Sequence, residues 1–247
     1  MAIVLFFSAH WVISAFFQSF FHHRYASHRM FTMGPRTERT FHALTYLVQG
    51  SSYLSPRAYA ILHREHHAYS DTARDPHAPG RFANVFTMMW ETALRYGAHL
   101  DRTSSPEPRF LGNYPEWELI DRIGSSWIAR IAWGAVFVLL YIWFATAWWQ
   151  FLLLPFHWVM GPVHGAIVNW CGHRYGYRNF ATTDASKNSL PFDFLTLGEL
   201  FQNNHHRASG RLNFASRRFE LDPTYLFTRL LAWTGVIRLG PGALARA

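Results

Sequence analysis

IAWGAVFVLLYIWFATAWWQFLLLPFHWVMGPVHGAIVNWCG, residues 131–172, contains no Asp, Glu, Lys or Arg. About 20 apolar residues already cross the hydrocarbon of a bilayer, so this stretch is long enough to cross twice. It breaks near Trp149-Gln150 and Pro155. That pattern predicts two antiparallel membrane helices, about 129–149 and 151–171, joined by a tight turn. Residues 1–21 are equally free of charge and lack the basic start of a signal peptide, which predicts an uncleaved span over about 3–21. Half of the 247 residues are hydrophobic and 18% are aromatic, a composition foreign to a water-soluble globule.

Charge sets the expected orientation. Apart from Arg130, every Lys and Arg lies within 22–126 or after 172. The positive-inside tendency therefore assigns about 22–128 and 172–247 to the cytoplasm, with the chain start and the 149–151 turn outside. The expected fold is an all-α integral membrane domain over residues 1–247: a transmembrane helical bundle with a cytoplasmic helical cap, set in a bacterial inner membrane. Residues 40–62 test this arithmetic, because they too are fairly apolar. Gln49-Gly-Ser-Ser and Pro56-Arg57 make them a poor span and predict a buried, amphipathic or re-entrant helix pair.

The formal charge of +8 and pI near 10 suit anionic lipid or a phosphate-bearing substrate. No nucleic-acid-binding motif is present, so nucleic acid is not an expected partner. A lone cysteine, Cys171, excludes an internal disulfide.

Three histidine clusters lie outside the apolar spans: His22-His23-Arg-Tyr-Ala-Ser-His28, His63-Arg-Glu-His66-His67 and Gln202-Asn-Asn-His205-His206. On a helix, His63, His66 and His67 fall at i, i+3 and i+4 and share one face, a spacing suited to metal ligation. His23 and His28, five apart, come together if the helix ends and turns the second ring back. His205 and His206 can reach two neighbouring metals, or one metal and the groups around it. Asn169 and His173 share a helix face where the last span leaves the membrane.

Together these elements offer eight imidazoles and two amides, more than one tetrahedral zinc could use. Two metals are the economical reading, and on ligand chemistry alone iron, copper and zinc all qualify. Asp71, Asp75 and His77 follow the second cluster closely enough to orient its rings, or to cap a loop. His10, Ser14, Gln18 and His22 form a polar stripe expected to pack against other helices, and His157 and His164 are expected to bond between helices or to line a slot. Arg207, Arg211, Arg217 and Arg218 form a basic patch suited to a phosphate head group or an acidic electron donor, as positive-inside topology also predicts.

The order HxxxxH, HxxHH and a distal HH pair after a membrane hairpin resembles the integral-membrane fatty acid desaturases, in particular the acyl-CoA delta-9 group. The likeness extends over roughly residues 5–225. It includes the second box with its downstream Ser70-Asp-Thr and Asp75-Pro-His77, Asn169-Trp-Cys-Gly-His173-Arg-Tyr-Gly, and Gly198-Glu-Leu-Phe-Gln-Asn-Asn-His-His206. The resemblance implies that His23, His28, His63, His66, His67, His173, His205 and His206 are iron ligands and that Asn169 holds a metal-bound water. The third box normally begins with histidine; Gln202 stands there and could bind through its oxygen, position a water or leave a vacancy. The family also usually has two spans before the first box, where this chain has one.

The implied activity is oxygen-dependent desaturation of a long-chain fatty acyl thioester at a diiron centre, giving a cis double bond, with delta-9 as the expected position. Two Fe ions, O2 and an external electron donor are implied, the donor being a ferredoxin or b-type cytochrome with its reductase. Long-chain acyl-CoA or acyl-lipid is the implied substrate and membrane lipid the implied surroundings. A fatty-acyl or lipid hydroxylase on the same scaffold is the alternative enzyme, and a non-catalytic metal carrier the alternative outside catalysis.

Overall fold

The first span begins as helix α1 (Ala2–Phe17) and continues unbroken as a ten-residue π-helix, Gln18–Ser27. These elements belong to a computed structural model that describes residues 1–244. Three helical stretches among the described residues are long and apolar enough to cross a membrane: Ala2–Ser27, Trp127–Phe144 and Trp148–Arg174. The second is α6 (Trp127–Phe144); the third opens as a 3₁₀ turn, Trp148–Leu153, and runs on as α7 (Leu154–Arg174). Ile128, Ile131, Ile142 and Trp143 of α6 are exposed, as lipid-facing side chains should be.

The turn between these two helices falls at 145–147 rather than at 149–151. Gln150 causes the shift: its side-chain oxygen accepts from Thr146 N–H at 2.8 Å and its own N–H bonds Ala147 O at 3.2 Å. It therefore closes the turn from inside the next helix. Farther along α7, Pro162 lacks the N–H that would pair with the carbonyl of Trp158, and Val159 departs from helical geometry at φ −128°, ψ 18°.

Residues 40–62 enter the bundle and leave it at the same end. Helix α2 (Pro35–Gln49) runs in, a 3₁₀ turn (Gly50–Ser52) reverses the chain, and α3 (Pro56–Tyr69) runs back. The turn is wedged among the three spans. His10 Nε2 lies 2.6 Å from Val48 O, Ser51 Oγ donates to His157 O at 3.1 Å, and Arg130 donates to Ser51 O at 2.7 Å and Tyr53 O at 3.0 Å. Gly50 is required twice over: its φ is +54°, and an added Cβ would lie 3.2 Å from the Trp133 ring.

The remaining elements cover the histidine-bearing end. Helix α4 (Val85–Leu100) starts at a reciprocal cap between Asn84 and Thr87, and α5 (Glu118–Ser125) is tied to the re-entrant turn by Tyr53 Oη donating to Asp121 at 2.6 Å. Helices α8 (Gln202–Arg207) and α9 (Pro223–Trp233) follow an irregular segment that Asn203, Asn204 and Asp193 brace through side-chain bonds to backbone and neighbours. Two residues of strand on each side, β1 (Phe31–Thr32) and β2 (Arg238–Leu239), pair antiparallel and depart from an all-helical expectation. Phe20, Phe21, Tyr25, Phe31, Phe201, Leu212, Phe214 and Ile237 form the buried core behind the histidines.

Candidate metal centre

The π-helix explains how His23 and His28, five residues apart, face one site. Its hydrogen bonds run i to i+5, and His28 N–H bonds His23 O at 3.2 Å, so the two rings lie one turn apart. The helix widens where an end and a turn were expected. His22 points elsewhere, with Nε2 2.8 Å from Leu54 O. On α3, His63, His66 and His67 share a face as their spacing demands.

The clusters meet in two groups. Ligand atoms of His23, His28, His63, His67 and His205 lie within 4.8 Å of one another, and so do those of His66, His173 and His206. Nε2 atoms approach to 2.8 Å between His28 and His63, 2.9 Å between His23 and His205, 2.9 Å between His67 and His205, and 3.3 Å between His66 and His206. Two nitrogens bound at right angles to one cation at about 2.1 Å would lie about 3.0 Å apart, so these separations fit shared ligation. His67 and His206 bring the groups together, their ring centroids 4.6 Å apart.

The other ring nitrogen is taken by carboxylates. His66 Nδ1 bonds Asp75 at 3.0 Å, His173 Nδ1 bonds Asp71 at 2.9 Å, His206 Nδ1 bonds Asp184 at 2.6 Å, and His23 Nδ1 bonds Glu199. Each bond leaves Nε2 free to ligate and fixes the plane of the ring. His173 Nε2, buried and aimed among these groups, has no partner among the described residues. A buried donor set of eight imidazoles with free nitrogens converging fits two borderline cations such as iron.

Electrostatics favour the neutral, ligating form at most of these rings; at His66 burial pulls down, but the carboxylates led by Asp75 raise it above the ordinary imidazole value. Burial holds His28, His63, His67 and His205 well below the ordinary imidazole range, and the neighbouring rings add to it. Burial pushes His206 down to about 4 against the pull of Asp184. Burial alone would raise Asp75, but the His66 ring beside it holds the carboxyl below its ordinary range, so it stays an acceptor.

The remaining expected residues divide. Asp71 and Asp75 orient rings directly, as above. His77 packs its ring 4.4 Å from that of His66, and neither of its nitrogens has a partner among the described residues. Gln202 donates through Nε2 to Glu199 O at 3.0 Å and lies against Gly172, where a Cβ would stand 2.4 Å from Gln202 Cγ. Asn169 and Gln202 both line a cavity of about 140 Å³ whose walls include His23 and His63 together with residues of α1, α3, α4 and α7.

Three contributors escaped the sequence reading. Glu199 holds His23, and fully buried Arg24 holds Glu199 at 2.6 Å and Asp222 at 2.7 Å. Both lie inside quoted motifs, where an acid beside a distal histidine pair and a base beside the first box were available signals. Asp184 sits in a polar loop with no distinguishing spacing, and only the fold brings it to His206.

Fold and site together define a helical bundle with three stretches long and apolar enough to cross a membrane, in which eight histidines converge into two adjoining groups that could hold metal. The chain belongs to the fatty acid desaturase family, whose model matches residues 1–215, and the family makes it an oxidoreductase by descent. It is 26% identical over 225 residues to a delta-9 desaturase-like protein of Arabidopsis thaliana, covering 88% of this chain and 70% of that one. It is 26% identical over 223 residues to an sn-1 stearoyl-lipid 9-desaturase of Synechocystis sp., with 87% and 64% covered. An acyl-CoA 5-desaturase of Anemone leveillei is likewise 26% identical over 230 residues, with 87% and 64% covered, so the chain spans less than two thirds of two of these relatives.

Proposed function

We propose that this protein desaturates a long-chain fatty acyl thioester with O2 at a histidine-ligated diiron centre, introducing a cis double bond at the delta-9 position. The observation that carries this reading is the pairing of two convergent imidazole groups with a cavity whose walls include His23 and His63. His23, His28, His63, His67 and His205 would hold one iron, and His66, His173 and His206 the other, with Asn169 holding a water. Bound iron would supply the oxidising power for removing hydrogen from unactivated carbon, which side-chain acids and bases cannot supply.

The chain's own residues supply position and dryness. Asp71, Asp75, Asp184 and Glu199 orient imidazoles from behind. Ala15, Leu54, Leu62, Met89 and Val168 give the cavity apolar walls that exclude water and fix the chain beside the metal groups. One turnover converts a CH2–CH2 unit and O2, with two electrons and two protons, into a CH=CH unit and two waters. A separate ferredoxin or b-type cytochrome, served by its reductase, would deliver those electrons at the cytoplasmic face of a bacterial inner membrane.

Mass spectrometry of lipids after heterologous expression, with saturated acyl-CoA and acyl-lipid supplied separately, tests the reading. Alkene product at one fixed position is expected. Alcohol without alkene would transfer the protein to the hydroxylases, and readily exchanged metal without oxygen consumption would make it a carrier.

A further inference from the structure

His10 on α1 and His157 and His164 on α7, buried apart from the metal groups, are used differently. His10 and His157 meet each other at 2.6 Å, and each finds a second partner, Val48 O at 2.6 Å and Tyr141 Oη at 2.9 Å. These are helix-to-helix bonds. His164, only 2% exposed, has no partner for either ring nitrogen among the described residues and lines the cavity, its ring edge-on to Trp11 with centroids 4.3 Å apart.

Gln18 repeats the observation from the first span. Its side chain is buried, lines the same cavity and carries an oxygen with no partner. Gly161 and Gly165, flanking His164 on α7, give that amide room: an added Cβ would come within 3.4 Å of Gln18 Oε1 and 3.9 Å of Gln18 Nε2. Buried polar groups left unpaired in an apolar slot are costly, and a plain hydrocarbon chain would leave them so. Apart from His77, which packs on His66 at the metal groups, the unmet set is an acceptor oxygen on the first span and an imidazole, able to donate, on α7 beside it. A hydroxyl group satisfies both at once, donating to Gln18 and accepting from His164.

We propose that the substrate is an acyl chain bearing a hydroxyl group on its methyl-end segment, recognised by His164 and Gln18. This rests on the desaturase reading, in which the head group stays at the cytoplasmic face and the chain passes the metal groups into the bundle. His164 precedes His173 by nine residues, about 13 Å of helix rise, and Gln18 precedes His23 by one turn of the π-helix, so the hydroxyl lies past the metal groups on the methyl-end side of the chain.

Equilibrium displacement tests the proposal on the full-length protein in detergent, with a fluorescent acyl thioester displaced by stearoyl thioester or by stearoyl thioesters hydroxylated at successive positions toward the methyl end. At least one isomer should compete about 10- to 100-fold better than stearoyl, the equivalent of a buried hydrogen bond otherwise left unmade. His164→Phe and Gln18→Leu should each abolish that preference. If no isomer outcompetes stearoyl in the wild type, the proposal is overturned without recourse to variants, and a buried water is left as the partner of His164. Survival of the preference in His164→Phe would overturn it equally. Failure of the desaturase reading shows separately, as absence of alkene from every thioester.

Discussion

The two histidine groups are built by different means. Four of the five rings in the larger group come from the π-helix with its cap His28 and from α3, and among the described residues only His23 in that group leans on a carboxylate. All three rings of the smaller group are held from behind, by Asp75, Asp71 and Asp184, and they come from α3, α7 and α8. Helix packing alone positions rings that share a continuous element. Rings gathered from separate elements need carboxylate guides, and all three of those guides, Asp71, Asp75 and Asp184, stand on loops.

The comparison breaks most visibly when a ligand is lost. His67→Ala should remove the metal of the larger group and turnover with it, measured as oxygen consumption and product formation, because no carboxylate-guided ring is available to substitute. Next in size is Arg24→Met, which leaves Glu199 and Asp222 buried without their cation. It should destabilise the protein by about 3–5 kcal/mol, read as a lower thermal midpoint in detergent.

Loss of a guide should separate the groups. Asp71→Asn or Asp184→Asn should weaken metal binding in the smaller group about 10- to 100-fold and leave the larger group filled, as metal titration of the apoprotein would show. Asp121→Asn, remote from both groups, serves as the control: a loss of about 1 kcal/mol with metal content intact. Burial alone would raise Asp121, but bonds from His42 and Tyr53 hold it below the ordinary aspartate value of 3.8. Its stabilisation is therefore full above that value and is lost as pH falls through the depressed one, so the variant should flatten the acid side of the stability profile.

The same contrast marks what could be read in the sequence. Spans, the re-entrant pair and the HxxHH face follow from local periodicity and from the absence of charge, properties written along one element. Even there, the turn moved to 145–147 because Gln150 bonds backward, and the π-helix made five-residue spacing equivalent to one turn. Asp184, Glu199 and Arg24 act across 22, 176 and 175 residues of chain, and no local pattern announces such pairings. The division of labour between His157, bonded between helices, and His164, facing the cavity, likewise depends on which way each side of α7 is covered.

Iron content per chain, measured side by side in the wild type and in His206→Ala, tests the two-group account most directly. The wild type should carry about two irons and the variant about one, because only the smaller group loses a ligand. About one iron in the wild type, or loss of both irons together in the variant, would contradict it.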